Sequence, residues 1–270
     1  MGNKKNTMKK IKTALISVSD KSNLKPLLKI LRKNKIKLIS SGGTYKKISE
    51  LKFECLEVSD FTGTNEILDG RVKTLHPKIY AGILNKRKNK THVKEMKFKN
   101  FENIDLVIVN FYPFEKIIKK TKNSNKIIEQ IDIGGPTLVR AAAKNYNDVV
   151  VITSTEQYSE LMNELIINKG YTSLKFREKM SRLAFTETAF YDSVITNYFN
   201  SISGTQFPKK KILHTKLVEK LRYGENPHQQ SAIYSQKSNL NLIKLHGRKL
   251  SYNNYSDVFS AISISKSLPK

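Results

Sequence analysis

The feature that most constrains this chain is a rhythm of short, nearly unbroken apolar runs separated by stretches with helical spacing. Thr13-Ala-Leu-Ile-Ser-Val18, Ile36-Lys-Leu-Ile39, Ile104-Asp-Leu-Val-Ile-Val109 and Asn147-Asp-Val-Val-Val-Ile152 read as strands, and the third has the continuous apolar character of a parallel strand covered on both faces. Leu24, Leu27, Leu28 and Leu31 recur at helical spacing, and Gly42-Gly43 precedes a short helix from Tyr45 to Leu51. Strands alternating with helices predict a parallel α/β sheet, and such sheets bind ligands beyond the carboxyl ends of their strands.

The segments that follow these strands carry the chemistry. Ser17-Val-Ser-Asp-Lys-Ser22 and Ser40-Ser-Gly-Gly-Thr44 both place hydroxyls and free backbone N–H groups at a strand-to-helix turn, where a helix N-terminus favours phosphate, and Lys21 adds a full positive charge. Ser, Asp and Thr are also ordinary capping residues and Gly-Gly an ordinary tight turn, so each segment also has a purely structural reading. Asp69-Gly-Arg-Val-Lys-Thr-Leu-His-Pro77 gathers Arg71, Lys73 and Thr74, which suit phosphate or carboxamide oxygens and a developing oxyanion; the alternative is a solvated basic loop. Asn110-Phe-Tyr-Pro-Phe114 puts Tyr112 just before a helix start, where it can simply pack. In Ile131-Asp-Ile-Gly-Gly-Pro-Thr-Leu-Val-Arg-Ala-Ala-Ala-Lys-Asn145, Asp132 precedes a helix and Lys144 lies about two turns further in, a pair that can exchange protons with a substrate if burial lowers the lysine's pKa.

Composition narrows the function classes. The chain has 270 residues, enough for one large domain or one domain plus part of another. No eighteen-residue apolar run occurs and the N-terminus lacks an apolar signal core, which predicts a cytoplasmic protein without membrane contact. Cys55 is the only cysteine and the five histidines lack ligand spacing, so neither a disulfide nor a metal site is expected; Cys55 reads as a small buried apolar residue. The formal charge of +26 is mostly lysine, with only eight arginines, and is spread along the chain among Asn and Ile. Base readout favours clustered arginine and aromatics, so nucleic acid is not the expected partner. The densest basic clusters, Lys86-Arg-Lys-Asn-Lys90 and Lys209-Lys-Lys211, read as a surface loop and a boundary.

Taken in order, Ser17–Lys21, Ser41–Thr44, Gly70–Pro77, Asn110–Phe114, Ile131–Gly135 and Arg140–Asn145 resemble the first half of the bifunctional purine biosynthesis enzymes that join AICAR transformylase to IMP cyclohydrolase, and Leu221-Arg-Tyr-Gly-Glu-Asn-Pro-His-Gln229 resembles the start of their second half. The resemblance implies a methylglyoxal-synthase-like α/β domain over residues 1–150, a helical connector over 151–204, and from 205–270 the truncated start of a cytidine-deaminase-like transformylase domain. It implies cyclisation of 5-formamidoimidazole-4-carboxamide ribotide to IMP and water without cofactor or metal. By the same resemblance the ribotide lies among Ser19, Asp20, Lys21, Ser41, Gly42, Gly43 and Thr44, with Arg71, Thr74, Asn110 and Ile133 also binding substrate. Lys144 is the implied proton shuttle, Lys73 and Tyr112 stabilise developing negative charge, and Asp132 orients the carboxamide nitrogen. Arg222 and Tyr223 are implied AICAR contacts, 10-formyltetrahydrofolate the transformylase co-substrate, and a homodimer the assembly. A methylglyoxal synthase or a regulatory module of the same fold would share the phosphate turns but would not need the Asp132 to Lys144 segment. The helical pattern at Ala261, Ile264 and Leu268 running into the end predicts a fragment that cyclises but does not transfer formyl groups, with 205–270 a candidate for disorder or aggregation.

Overall fold

The apolar runs form the centre of a five-stranded parallel sheet in the computed structural model, which describes residues 8–236 and 240–269. The chain divides into two units, Met1–Ser203 and Gly204–Lys270. Strands of the first unit are β1 (Lys9–Lys10), β2 (Thr13–Val18), β3 (Lys37–Ser40), β4 (Leu56–Glu57), β5 (Leu106–Asn110), β6 (Val150–Ile152) and β7 (Tyr171–Thr172). Its helices are α1 (Leu24–Lys33), α2 (Gly42–Glu50), α3 (Val58–Thr62), α4 (Pro77–Leu84), α5 (Lys90–Phe98), α6 (Phe114–Lys120), α7 (Ser124–Ile128), α8 (Gly134–Lys144), α9 (Tyr158–Ile167) and α10 (Leu174–Ile202).

The main sheet runs β4-β3-β2-β5-β6, all parallel, with Ala14 opposite Leu106 and Ile16 opposite Ser40. Ala14, Leu15, Ile16, Leu106, Val107 and Ile108 are all buried, as residues with helices over both sheet faces must be. Each large aliphatic among them contributes about 1.5–3 kcal/mol by leaving water. The chain moves outward from β2 through β3 to β4, then crosses back to β5 and β6 on the other side. The order therefore reverses between β2 and β5, and the carboxyl ends of the strands at such a reversal are where ligands bind in sheets of this kind.

Beyond the sheet, α10 packs on α8 and β6, and α1 packs on α9. Phe176, Met180, Ala184, Thr188 and Tyr191 recur at three- and four-residue spacing and give α10 its buried face. Arg177 lies on the same face, fully buried, donating to the carbonyls of Tyr146, Thr172 and Asn147. The expected strand over 147–152 begins only at Val150, because Asn147 serves Arg177 and the Asp148 carboxylate pairs with Lys9.

One basic cluster reads differently in three dimensions. Arg87, expected on a surface loop, turns inward: its guanidinium donates to the carbonyls of Gly82 and Ile104 at 3.0 and 2.8 Å and approaches Asp105 at 3.6 Å. It satisfies carbonyls left over at the end of α4, which an exposed lysine at the same place would leave to water. Cys55 is only half-buried, at the core's edge, where burial, with Glu57 adding to it, pushes its thiol up to about 12.

The second unit contains a hairpin of β8 (Lys216–Lys220) and β9 (Ala232–Ser235) and a helix α11 (Tyr252–Ser267). Ser251 and Asn254 form a reciprocal capping box at the start of α11, and Tyr255 donates to Glu219 of β8 at 2.7 Å. Residues expected as a candidate for disorder thus have a hydrogen-bonded frame of their own. The expected apolar exposure is present: Ile243, Leu245 and Leu268 face solvent.

Candidate active site at the carboxyl ends of β2, β3 and β5

Asn110, the last residue of β5, ties the crevice together. Its Oδ1 accepts from the Ser19 and Asp20 N–H groups at 2.7 and 2.9 Å, and its Nδ2 donates to the Asp20 carbonyl at 3.0 Å. The Ser19 hydroxyl donates to the Phe111 carbonyl at 2.8 Å. An amide offers donor and acceptor on one rigid plane, so it closes both strand ends at once. Asn110, expected as a substrate contact, uses its side chain to hold the 19–21 loop. Asp20 accepts from the Ser22 N–H at 2.8 Å, and its hydrogen bonds to Ser22 hold its carboxyl below the usual value.

The turn after β3 is fastened from beneath. Thr44 is buried, and its hydroxyl both accepts from the Val18 N–H and donates to the Val18 carbonyl at 3.0 Å. The Ser40 hydroxyl donates to the Ile16 carbonyl at 2.7 Å. Thr44 thus anchors the turn, leaving Ser41, Gly42 and Gly43 at the mouth. No side chain caps the first turn of α2, whose N–H groups have no intrahelical partner. Gly42 adopts φ 54°, which an L side chain would strain.

Two ammonium groups flank that turn. A Cβ at Gly42 would sit 3.4 Å from Lys73 Nζ, and one at Gly43 would sit 4.0 Å from Lys21 Nζ. Lys73 arrives on a tight excursion in which Ile67 bridges Val72 and Leu68, Asp69 and Gly70 all have positive φ. Glu66 pairs with Lys73 at 3.0 Å, and Arg71 pairs with Glu129 at 3.1 Å on the surface. Neither carboxylate has a sequence signature, because each meets its cation only after the chain folds back.

The N-terminus of α8 closes the other side. Thr74 is buried, with its hydroxyl 3.1 Å from where a Cβ on Gly134 would stand, so glycine is needed for this close approach. Asp132 accepts from the Gly135 N–H at 2.8 Å, and its own N–H donates to the Tyr191 hydroxyl at 2.8 Å. Burial raises the Asp132 carboxyl, opposed by the Gly135 hydrogen bond; burial likewise pushes Tyr191 up to about 12. Tyr191, in the segment expected only as a helical connector, escaped the sequence reading. Ile133 and Tyr112 are exposed at the same end of the sheet.

Lys144 is not brought together with these groups. The eleven residues of α8 rise about 1.5 Å each, so its ends lie about 15 Å apart. Lys144 is exposed at the far end, and the next residue, Asn145, donates to the carbonyls of Ile83 and Asn85 where α4 finishes. That is the end of the sheet where β6 begins.

In the second unit, the Arg222 guanidinium donates to the Tyr223 hydroxyl at 3.0 Å and lies 4.7 Å from its ring centroid; that hydrogen bond lowers the phenol's pKa. Backbone bonds from Arg222 to Leu250 and from Tyr252 to Tyr223 hold the pair beside the start of α11. Among the described residues there is no group of His, Cys, Asp and Glu that could hold a metal ion, and no helix long and apolar enough to cross a membrane.

Residues 23–137 match the family model of the MGS-like domain, and residues 142–270 match that of the AICARFT/IMPCHase bienzyme. The chain is 45% identical over 263 residues to the bifunctional purine biosynthesis protein PurH of Acetivibrio thermocellus, a match covering 95% of this chain and 51% of that protein. It is 43% identical over 257 residues to the PurH of Bradyrhizobium diazoefficiens, covering 94% and 48% respectively. The chain thus spans about half the length of the curated relatives it matches. Among solved structures, the crystal structure of ForH superposes with a TM-score of 0.63 at 28% identity, covering 70% of this chain and 99% of that one.

Proposed function

Because the chain carries an MGS-like domain followed by AICARFT/IMPCHase bienzyme sequence and is a homologue of the bifunctional purine biosynthesis proteins, we propose that its first unit is an IMP cyclohydrolase. The observation that carries this reading is the convergence at one sheet end of an uncapped α2 turn, the Lys21 and Lys73 ammonium groups, and the Asp132 carboxylate at the start of α8.

In this reading the phosphate of 5-formamidoimidazole-4-carboxamide ribotide sits on the first turn of α2, held by Ser41 to Gly43 and Lys21, with Ser19 and Asp20 at the ribose. Arg71, Thr74 and Ile133 border the base. The carboxamide nitrogen attacks the formamide carbonyl carbon, forming the ring C–N bond and placing negative charge on the carbonyl oxygen. Lys73 and Tyr112 stabilise that charge, and Asp132 accepts a hydrogen bond from the attacking nitrogen. The attacking nitrogen loses one proton and the oxyanion gains one to give the carbinolamine; the former formamide nitrogen then loses its proton as the ring C=N bond forms and the hydroxyl, taking up a proton, departs as water. The reaction is intramolecular, so selecting the reactive rotamer and stabilising the oxyanion supply most of the acceleration. The test is IMP formation from the formylated ribotide without folate. A folded protein that binds the nucleotide and turns nothing over would favour a regulatory module of the same fold.

Three further assignments belong to the same reading. Arg222 and Tyr223 are proposed AICAR contacts, and 10-formyltetrahydrofolate the formyl donor of the transformylase reaction. The assembly is proposed to be a cytoplasmic homodimer. The proton-transfer role of Lys144 then falls to a second copy of the chain, since a helix length separates it from its own crevice.

A further inference from the structure

Asp132 and Tyr112 reach the crevice on separate segments, and one buried side chain of α10 joins those segments. The Tyr191 hydroxyl accepts from the Asp132 N–H at 2.8 Å. The Tyr191 ring lies 5.1 Å from that of Phe111, tilted, and 6.3 Å from that of Phe114, edge-on. Phe111 and Phe114 bracket Tyr112, whose carbonyl accepts from the Phe114 N–H at 2.8 Å. The Tyr112 side chain is exposed, so its place is set by these neighbours and not by burial of its own ring.

Tyr191 is 6% exposed and belongs to a second hydrophobic cluster, separate from the core of the sheet, in which Phe114, Ile127 and Val194 are also buried. Ile131, next to Asp132 in the chain, packs on the same cluster. A hydroxyl among apolar groups is costly unless it is hydrogen-bonded, and the Asp132 N–H is the partner this one has. Burial pushes the phenol up to about 12, so it stays neutral beside the carboxylate. Asp132 is thereby held at two points, its N–H on Tyr191 and its carboxylate on the Gly135 N–H at 2.8 Å.

We propose that Tyr191 is a positioning residue of the cyclohydrolase site: its hydroxyl fixes Asp132, its ring fixes the turn that carries Tyr112, and together they set the spacing of these two groups across the substrate. This rests on the cyclohydrolase reading of the crevice. Tyr191 acts through Asp132 and Tyr112 and not on the substrate. The match to the MGS-like domain ends at residue 137, so α10 supplies this support from outside the matched segment.

The experiment is steady-state kinetics of IMP formation by the full chain, with thermal melting of each variant. Tyr191→Phe keeps the ring and removes the hydroxyl; kcat is expected to fall about tenfold with KM within about twofold, because a displaced Asp132 weakens the transition state and not substrate binding. In an Asp132→Asn background the same substitution should cost nothing further, whereas a general loosening of the fold would cost as much in both. Phe114→Leu tests the ring contact with the hydroxyl intact, and its loss of kcat should disappear in a Tyr112→Phe background. Should Tyr191→Phe melt far below wild type, the Phe114→Leu cycle decides. Unchanged kcat in either variant, or a loss that persists undiminished in its paired background, would overturn the proposal alone. A wild-type chain that formed no IMP would overturn the cyclohydrolase reading and this proposal with it.

Discussion

At the scale of single residues, burial rather than residue type decides which groups do chemistry. Asp132 is one of many carboxylates in the chain, but partial burial raises its pKa above the ordinary carboxylate value of 3.8. A carboxyl whose folded pKa is raised supports the fold most below its unfolded value, and that support is lost as pH rises through the folded value. Wild type is therefore expected to lose stability relative to Asp132→Asn as pH climbs from below 3.8 into the range just above it, measured by urea denaturation. Ionised Asp132 is the proposed hydrogen-bond acceptor, so the acid limb of kcat/KM should also lie above 3.8 and vanish with the residual activity of Asp132→Asn. An acid limb at or below that value would remove Asp132 from the mechanism. The separation of Lys144 from the crevice makes a sharper test possible. If a second copy supplies it, chains carrying Lys73→Ala and chains carrying Lys144→Ala, each inactive alone, should regain turnover when mixed. Full turnover by Lys144→Ala alone would end its proposed role.

At the scale of elements, small residues set the approach of one piece to another. A Cβ on Gly82 of α4 would stand 2.8 Å from the Glu102 carbonyl and 3.2 Å from the Ile104 side chain. Neither neighbour is a free chain end, so Gly82→Ala is expected to cost about 1–3 kcal/mol, read as a lower denaturation midpoint. Residues 77–84 carry no clear element signal in the sequence, and α4 emerges only in the structure. Its N-terminus uses Pro77 at the first position and the His76 ring accepting from Lys78 N–H, a cap outside the usual Ser, Thr, Asp and Asn set. β1 and β4 were missed for a different reason: two residues have no periodicity to detect, and they become strands only because β7 and β3 lie beside them. By contrast α1, α2 and α8 lie within three residues of where leucine spacing, Gly-Gly and Gly-Gly-Pro indicated them.

At the scale of the whole molecule, the chain is two units joined after Ser203, with Lys209, Lys210 and Lys211 exposed just beyond the division. Brief trypsin treatment is expected to cut first at this lysine cluster and leave a fragment ending near it that still binds IMP, since every residue proposed to hold the nucleotide lies before Ser203. Loss of IMP binding on that cut would show that the second unit completes the site. The parallel sheet, its strand-end turns and the order of the motifs were legible in the chain because they depend on local patterns: continuous apolar runs, leucines at helical spacing, and glycines where the backbone must turn. What only tertiary structure decided is who meets whom. Asn110 binding the 19–21 loop, Glu66 holding Lys73, Tyr191 supporting Asp132, Arg87 turning inward and Lys144 falling at the far end of α8 all depend on contacts between segments distant in sequence or on the direction of a helix axis. Local propensity reports neither, because these contacts are fixed by the order in which strands join the sheet and by the end of it at which each helix begins.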